Sequence, residues 1–265
     1  LRVLVIFALV MASFLSKNAR LRWITLSITL VYLGFINGGF LSVSHITNTI
    51  NLGPSMILGD VTLLMIVVFT LVTAFIWGRV FCSSLCPFGA VQDLLTKLVP
   101  RRWQKTMPTH IHNKALYLKY VFLALILVMA VVQGGISIFQ YFERFGTLFF
   151  YSTSLVMWAI LLVILFASAV FKRFYCRYVC PLGAALGVLS LVSLSRIKRV
   201  RQCTACSVCE HACPTGAIRK HQIDFKECVR CDICESKLIN KAGVCKHSVE
   251  SLTARGVVLL PLKPV

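Results

Sequence analysis

Apolar residues run along this chain in blocks free of Asp, Glu, Lys and Arg. Most are long enough for a helix rising about 1.5 Å per residue to cross a hydrocarbon core of about 30 Å. One block covers residues 23–59, and its apolar part, to about Ser44, fits one span followed by the polar turn HITNTINLGPS. Another covers 61–78, between Asp60 and Arg79, and two more cover 120–142 and 145–171. Residues 3–16 form a shorter block that fits a tilted span or the end of one begun upstream, and the opening Leu1, where Met would start a chain, favours an upstream piece. A cleaved signal peptide fits this block poorly, because Lys17, Asn18, Ala19 and Arg20 make no small-residue cleavage site.

Composition agrees with the blocks. Hydrophobic residues make up 58% of 265, charged residues 14%, and the mean hydropathy is +0.82, which excludes disorder and an ordinary soluble globule. Lys and Arg number 28 against nine Asp and Glu, a net charge of +19 that in a soluble protein would suggest nucleic acid. Its distribution suggests topology instead. Counting five spans, Lys17, Arg20 and Arg22 follow the first; Arg79, Lys97, Arg101, Arg102, Lys105, Lys114 and Lys119 follow the third; Lys172, Arg173 and Arg177 follow the fifth. The other two loops hold no basic residue between His45 and Gly59, and only Arg144 beside Glu143. The positive-inside rule therefore predicts cytoplasmic basic loops, a cytoplasmic C-terminal tail and an outward N-terminus, with no nucleic-acid partner.

All twelve cysteines are clustered. CTACSVCEHACP supplies Cys203, Cys206, Cys209 and Cys213, and a second group supplies Cys228, Cys231, Cys234 and Cys245. The spacing C-x2-C-x2-C-x3-C-P is that of bacterial two-cluster ferredoxins, in which the fourth thiolate of each run crosses to the other cluster. On that rule Cys203, Cys206, Cys209 and Cys245 hold one [4Fe-4S] cluster, and Cys228, Cys231, Cys234 and Cys213 hold the second. Two zinc sites would use paired C-x2-C knuckles and a longer loop, and a disulfide framework would not suit a reducing cytoplasm. The second run departs from the pattern: ten residues, ESKLINKAGV, precede Cys245, and Lys246 follows it in place of proline. Residues 201–265 hold ten basic against six acidic side chains, a partial counter-charge to two anionic clusters.

The other four cysteines form an internal repeat, GRVFCSSLCPFGA at 78–90 and KRFYCRYVCPLGA at 172–184. Each copy follows a span and carries a basic residue, an aromatic before the first Cys, then C-x3-C-P, an apolar residue, Gly and Ala. Pro87 and Pro181 suit the first turn of a new helix, where no N–H is needed. After Pro87, Phe88, Val91, Leu94, Leu95, Leu98 and Val99 fall on one stripe and Gln92, Asp93, Thr96 and Lys97 opposite, which predicts a helix lying along the membrane surface. If the copies meet about a pseudo-two-fold axis, Cys82, Cys86, Cys176 and Cys180 converge on a four-thiolate site, a candidate third iron–sulfur centre. A redox-active dithiol pair and inert buried cysteines are the alternatives.

These residues resemble the membrane polyferredoxin-like proteins that include the NosR/NirI and NapH/MauN families. Two C-x3-C-P motifs at the ends of transmembrane helices, followed by a C-terminal pair of 4Fe-4S motifs, are that group's arrangement, and it covers the chain from about Trp23 to Cys245. CRYVCPLGAALG and the long gap before Cys245 resemble the NosR side. The resemblance implies electron transfer, in a bacterial inner membrane, between a quinone pool or cytoplasmic donor and an extracytoplasmic partner such as a flavoprotein or periplasmic reductase. The outward flavin-binding domain that precedes the spans on the NosR side has no counterpart in these 265 residues.

Other polar residues add little. His45, His110, His112, His211, His221 and His247 place no two ligands mid-membrane on separate spans, so bis-His haem is not expected. His45, Asp60, Glu143 and Arg144 fall near the outer surface and read as interfacial anchors more readily than as a quinol or partner site. Gly38, Gly39, Gly134 and Gly135 suit close helix packing.

The expected fold is an α-helical polytopic membrane protein, residues 1–200. A C-terminal α+β two-cluster ferredoxin domain follows at 201–250, then a tail at 251–265. The expected function is that of an iron–sulfur electron-transfer subunit of an oxidoreductase system. A membrane redox sensor or a metalloenzyme maturation or regulatory factor is the rival class.

Overall fold

The computed structural model describes residues 2–16, 18–36, 41–43, 45–46, 49, 53, 58–100, 102–105, 107–133, 148–149, 154–195, 198–200, 210, 212–219, 222–231, 233–234 and 259–261. These residues are mostly helical. The α-helices are α1 (Arg2–Ser16), α2 (Ala19–Thr29, running on as π-turns over Leu30–Ile36), α3 (Val61–Ile76), α4 (Pro87–Leu98), α5 (Thr109–Gln133), α6 (Leu155–Val170) and α7 (Pro181–Leu189).

Helix starts follow local chemistry. Asn18 Oδ1 accepts from the Arg20 N–H at 3.0 Å to cap α2, and Asp60 Oδ1 accepts from Thr62 and Leu63 N–H at 2.9 and 3.4 Å to cap α3. Asp60 thus has a local structural role. Pro87 and Pro181 open α4 and α7, as their positions predict. α3 ends where Gly78, at φ +92, donates to the Thr73 and Ala74 carbonyls.

Val3, Ile6, Phe7 and Val10 put one face of α1 into the core, and Phe7 stacks on Phe69 of α3 with ring centroids 4.4 Å apart. Leu33, Ile66, Phe88, Leu161 and Tyr175 continue that core through the other helices. The opposite faces are just as apolar: Val61, Val131, Leu155, Val163 and Phe166 are between 67% and 84% exposed. Residues 110–132 of α5 are long and apolar enough, by length and composition, to cross a membrane; α1, α3, α6 and Pro181–Val192 are shorter apolar helices.

Two sequence expectations need correction. The helix expected from Tyr120 begins at Thr109, and it carries Lys114 and Lys119 inside it. Lys119 does not interrupt it, because its ammonium is fully buried in an ion pair with Glu227. Second, α4 presents only part of its polar stripe, at Lys97, to the surroundings. Gln92 is wholly buried and Asp93 is held by two arginines, whereas Leu98 is 76% exposed. The polar side of α4 faces the second repeat.

Each repeat consists of a 16-residue apolar helix, a short π-helical break and a short helix, and the two exchange ends. α4 lies against α6, where Ser168 Oγ donates to Gln92 Oε1 at 3.4 Å, and the chain beyond α4 returns to bond Lys105 N–H to the Val170 carbonyl. The chain beyond α7 likewise returns to the end of α3, with Leu194 and Ser195 N–H on the Phe75 and Ile76 carbonyls. The short helix of each copy is therefore tied to the apolar helix of the other.

Beyond α7, β1 (Lys198–Val200) pairs antiparallel with β4 (Leu259–Pro261), Arg199 opposite Leu260. A hairpin of β2 (Ile218–Arg219) and β3 (Gln222–Ile223) carries a small core of Ile218, Ile223 and Phe225. Gly38, Gly39, Gly134, Gly135, Glu143 and Arg144 lie outside the described residues.

Replacing Asp60 by Ala removes the cap of α3 and is expected to cost about 1 kcal/mol, read as a lowered thermal midpoint in detergent, while Asn at this position keeps most of it.

Candidate metal centres

The two helix breaks are nearly superposable in their bonding. Phe81–Leu85 and Tyr175–Val179 are single π-turns, closed by Cys86 N–H on the Phe81 carbonyl and Cys180 N–H on the Tyr175 carbonyl, each at 2.9 Å. Cys86 and Cys180 then adopt extended φ/ψ values of −69/116 and −66/110 and become the N-cap residues of α4 and α7. The Gly183 N–H donates to Cys180 Sγ at 3.2 Å, whereas Cys86 makes no side-chain cap bond to α4. The N-terminus of α7 thus aims a backbone donor at sulfur. Crowding requires glycine at 89, where a Cβ would lie 2.8 Å from the Cys82 carbonyl oxygen; a Cβ on Gly183 would lie 3.0 Å from Arg79 Nη2, a tight contact.

Cys82, Cys86, Cys176 and Cys180 are all buried and gathered at the seam between the copies, where Phe88 meets Tyr175 edge to face at 4.9 Å. Burial pushes the Cys86 and Cys180 thiols well up, and charge on Cys176 and Cys82 pushes them further. Cys176 is pushed up to about 11 by burial, opposed by Arg173 and by the Gln92 Nε2 donor 3.1 Å from its sulfur. Thiols so placed resist ionising together unless a multivalent cation draws them into thiolate form, as bound iron does. Among the described residues no three His, Cys, Asp or Glu side chains form a site for a single ion.

Positive charge is built into the same seam. Arg79 and Arg173 stand three residues before the first Cys of each copy, and both are buried. Arg173 donates to both Asp93 oxygens at 2.6 Å and from Nη1 to the Cys82 carbonyl at 3.3 Å, and Arg22 reaches Asp93 at 3.1 Å. Arg79 Nη1 donates to the Lys226 carbonyl at 2.6 Å, while its buried Nε has no hydrogen-bond partner. These guanidiniums, read from sequence as orientation signals, are internal counter-charges. Their equal offset in the two copies was the sequence signal for that role. Gln92, Asp93, Lys119 and Glu227 carried no such signal.

A second group of thiols lies close by. Cys213, Cys228, Cys231 and Cys234 all line one small cavity, with apolar walls that include Ile218, Ile223 and Val229. Burial raises Cys228 to about 12 and also raises Cys231, whose thiol is drawn back by Arg22 and Arg173. Cys203, Cys206, Cys209 and Cys245 lie outside the described residues.

The segment carrying this cavity is fastened to the helix breaks. Ser190 Oγ donates to the Phe225 carbonyl at 3.0 Å, and Ser83 Oγ to that of Arg230 at 3.4 Å. Lys119 pairs with Glu227, and Tyr120 OH reaches the same carboxylate at 3.4 Å. Among the histidines, His112 is buried against the Tyr178 hydroxyl at 2.7 Å, and His45 Nδ1 accepts from Ser42 N–H at 3.2 Å. His110 is exposed on α5, and His211, His221 and His247 lie outside the described residues.

Comparison with known proteins matches this architecture to a class. The 4Fe-4S binding domain family Fer4_5 matches residues 60–106 and 153–200, the two repeats that hold the C-x3-C-P cysteines. An uncharacterized protein of Methanocaldococcus jannaschii is 32% identical over 251 residues, covering 92% of this chain and 91% of its own. Protein NirI of Paracoccus denitrificans is 33% identical over 90% of this chain, and the regulatory protein NosR of Pseudomonas aeruginosa 33% identical over 64%. The matched regions span only 37% of NirI and 25% of NosR. No solved structure matches. The chain belongs to the NosR/NirI/NapH-like polyferredoxin group, and it is an iron–sulfur protein of the 4Fe-4S type.

Replacing Glu227 by Ala leaves the Lys119 ammonium buried without its partner. The expected cost is about 3–5 kcal/mol to the docking of residues 224–231, read as faster amide hydrogen exchange across that segment than in the parent protein.

Proposed function

We propose that the protein is a membrane-bound electron carrier in which a C-terminal two-cluster ferredoxin domain, residues 201–250, exchanges electrons with a third centre held at the helix breaks by Cys82, Cys86, Cys176 and Cys180. The carrying observation is adjacency: four buried thiols at the seam, and a cavity lined by Cys213, Cys228, Cys231 and Cys234 in the segment bonded to that seam. In this reading Cys203, Cys206, Cys209 and Cys245 ligate the other ferredoxin cluster. The clusters supply one-electron chemistry; the chain holds their ligands, excludes water and balances their charge.

Exposed apolar faces on α3, α5 and α6 support placing these helices in lipid, within a transmembrane unit over residues 1–200 and a short tail over 251–265. The basic loops support a cytoplasmic ferredoxin domain and an outward N-terminus in a multi-pass inner-membrane arrangement. Partners of the expected kind are a quinone pool or cytoplasmic donor on one side and a flavoprotein or periplasmic reductase on the other. The rival reading, a redox sensor or regulatory factor, draws support from the regulatory name carried by NosR. Rapid, reversible electron exchange with quinone analogues or a reductase separates the carrier from the sensor.

Iron and sulfide counting tests the cluster assignment. The purified protein is expected to hold about twelve iron atoms, falling to about eight when Cys82 and Cys176 are both replaced by Ala; an unchanged count removes the third centre.

A further inference from the structure

Arg173 bonds the backbone of the first thiol group, and its charge reaches the second. It occupies the turn between α6 and its helix break at φ +52, a conformation that disfavours a side chain, and its guanidinium is fully buried. Asp93 grips it through two 2.6 Å bonds, and Nη1 donates to the carbonyl of Cys82 at 3.3 Å. Cys231 packs against the core that contains Cys82, Cys86 and Cys180. The carbonyl just before Cys231, that of Arg230, accepts from Ser83, the residue just after Cys82. The electrostatics follow this placement. Arg173 acts on Cys176 and, after Arg22, on Cys231, whereas its repeat counterpart Arg79 acts on Cys176 and Cys180.

We propose that Arg173 is the shared counter-charge of two redox centres, the one held by Cys82, Cys86, Cys176 and Cys180 and the one held by Cys213, Cys228, Cys231 and Cys234, and that it raises the potentials of both. The inference rests on both thiol groups holding iron–sulfur clusters. Reduction of such a cluster adds one electron and one unit of negative charge, with no bond made or broken. A buried cation favours the reduced form of whichever centre lies within its reach, since the low-dielectric interior screens it weakly. Arg173 is a positioning residue, and Asp93 moderates it: the carboxylate holds the guanidinium in place and offsets part of its field.

The test uses the full chain in detergent, with iron and sulfide counted first and each centre then followed by redox-titrated EPR. Arg173→Gln is expected to shift both midpoint potentials negative, and Arg173→Lys to restore most of that shift. Asp93→Asn, which keeps the cation, is expected to shift both positive. Arg79→Gln is expected to shift only the four-cysteine centre of the helix breaks. A movement of one potential or neither in Arg173→Gln, with iron content at the parent level, overturns the proposal. Should Arg173→Gln lose iron, Asp93→Asn decides, and the absence of a positive shift in both centres overturns it equally. A parent protein with iron at only one thiol group overturns the cluster assignment itself, a result read from the iron count before any potential is measured.

Discussion

Four thiols enclosed in an apolar seam cannot all become anions unless positive charge is built in beside them, and much of the described structure satisfies that constraint. Arg79 and Arg173 sit at the same offset before each C-x3-C-P motif, both buried, one bonded to a carbonyl of the docked C-terminal segment and the other to Asp93. Asp93 also takes Arg22, so the start of α2 and the middle of α4 are tied to the second repeat through one carboxylate. Such contacts contribute little on a wet surface and much more in a dry interior, where an unpartnered charge is costly.

The same seam organises the backbone. Each helix break is a π-turn ending in a cysteine whose extended conformation lets proline open the next helix, so sulfur, backbone N–H groups and helix N-terminus converge without long loops. Each short helix packs on the other copy's apolar helix, so neither cysteine pair is assembled by its own repeat alone. The hairpin segment closes one side through Arg79, Lys119, Ser83 and Ser190. Polar side chains turn inward here and apolar ones outward, because the seam must satisfy charge while the surroundings of α3, α5 and α6 need not.

Local signals read from sequence held where the cause was local. Pro87 and Pro181 start helices, the apolar blocks at 61–78 and 145–171 contain α3 and α6, and the cysteine runs with the internal repeat pointed to the polyferredoxin group to which the chain belongs. The type of a charged residue alone does not decide its place. Lys119, expected in a basic loop, lies inside a helix with its ammonium matched by a carboxylate more than a hundred residues away; Gln92 and Asp93, on the polar stripe of a helix expected along the membrane surface, face sulfur and arginine.

The sequence by itself determined the cysteine spacing, the repeat, the apolar lengths and the helix starts, because each depends on covalent geometry or on neighbours a few residues apart. Only the tertiary structure decided that Cys82 and Cys86 meet Cys176 and Cys180, that Arg79 and Arg173 are internal counter-charges, and that Cys231 lies against the seam. Those outcomes depend on which distant partners share a low-dielectric interior, and a buried charge is tolerated only where the fold supplies its partner.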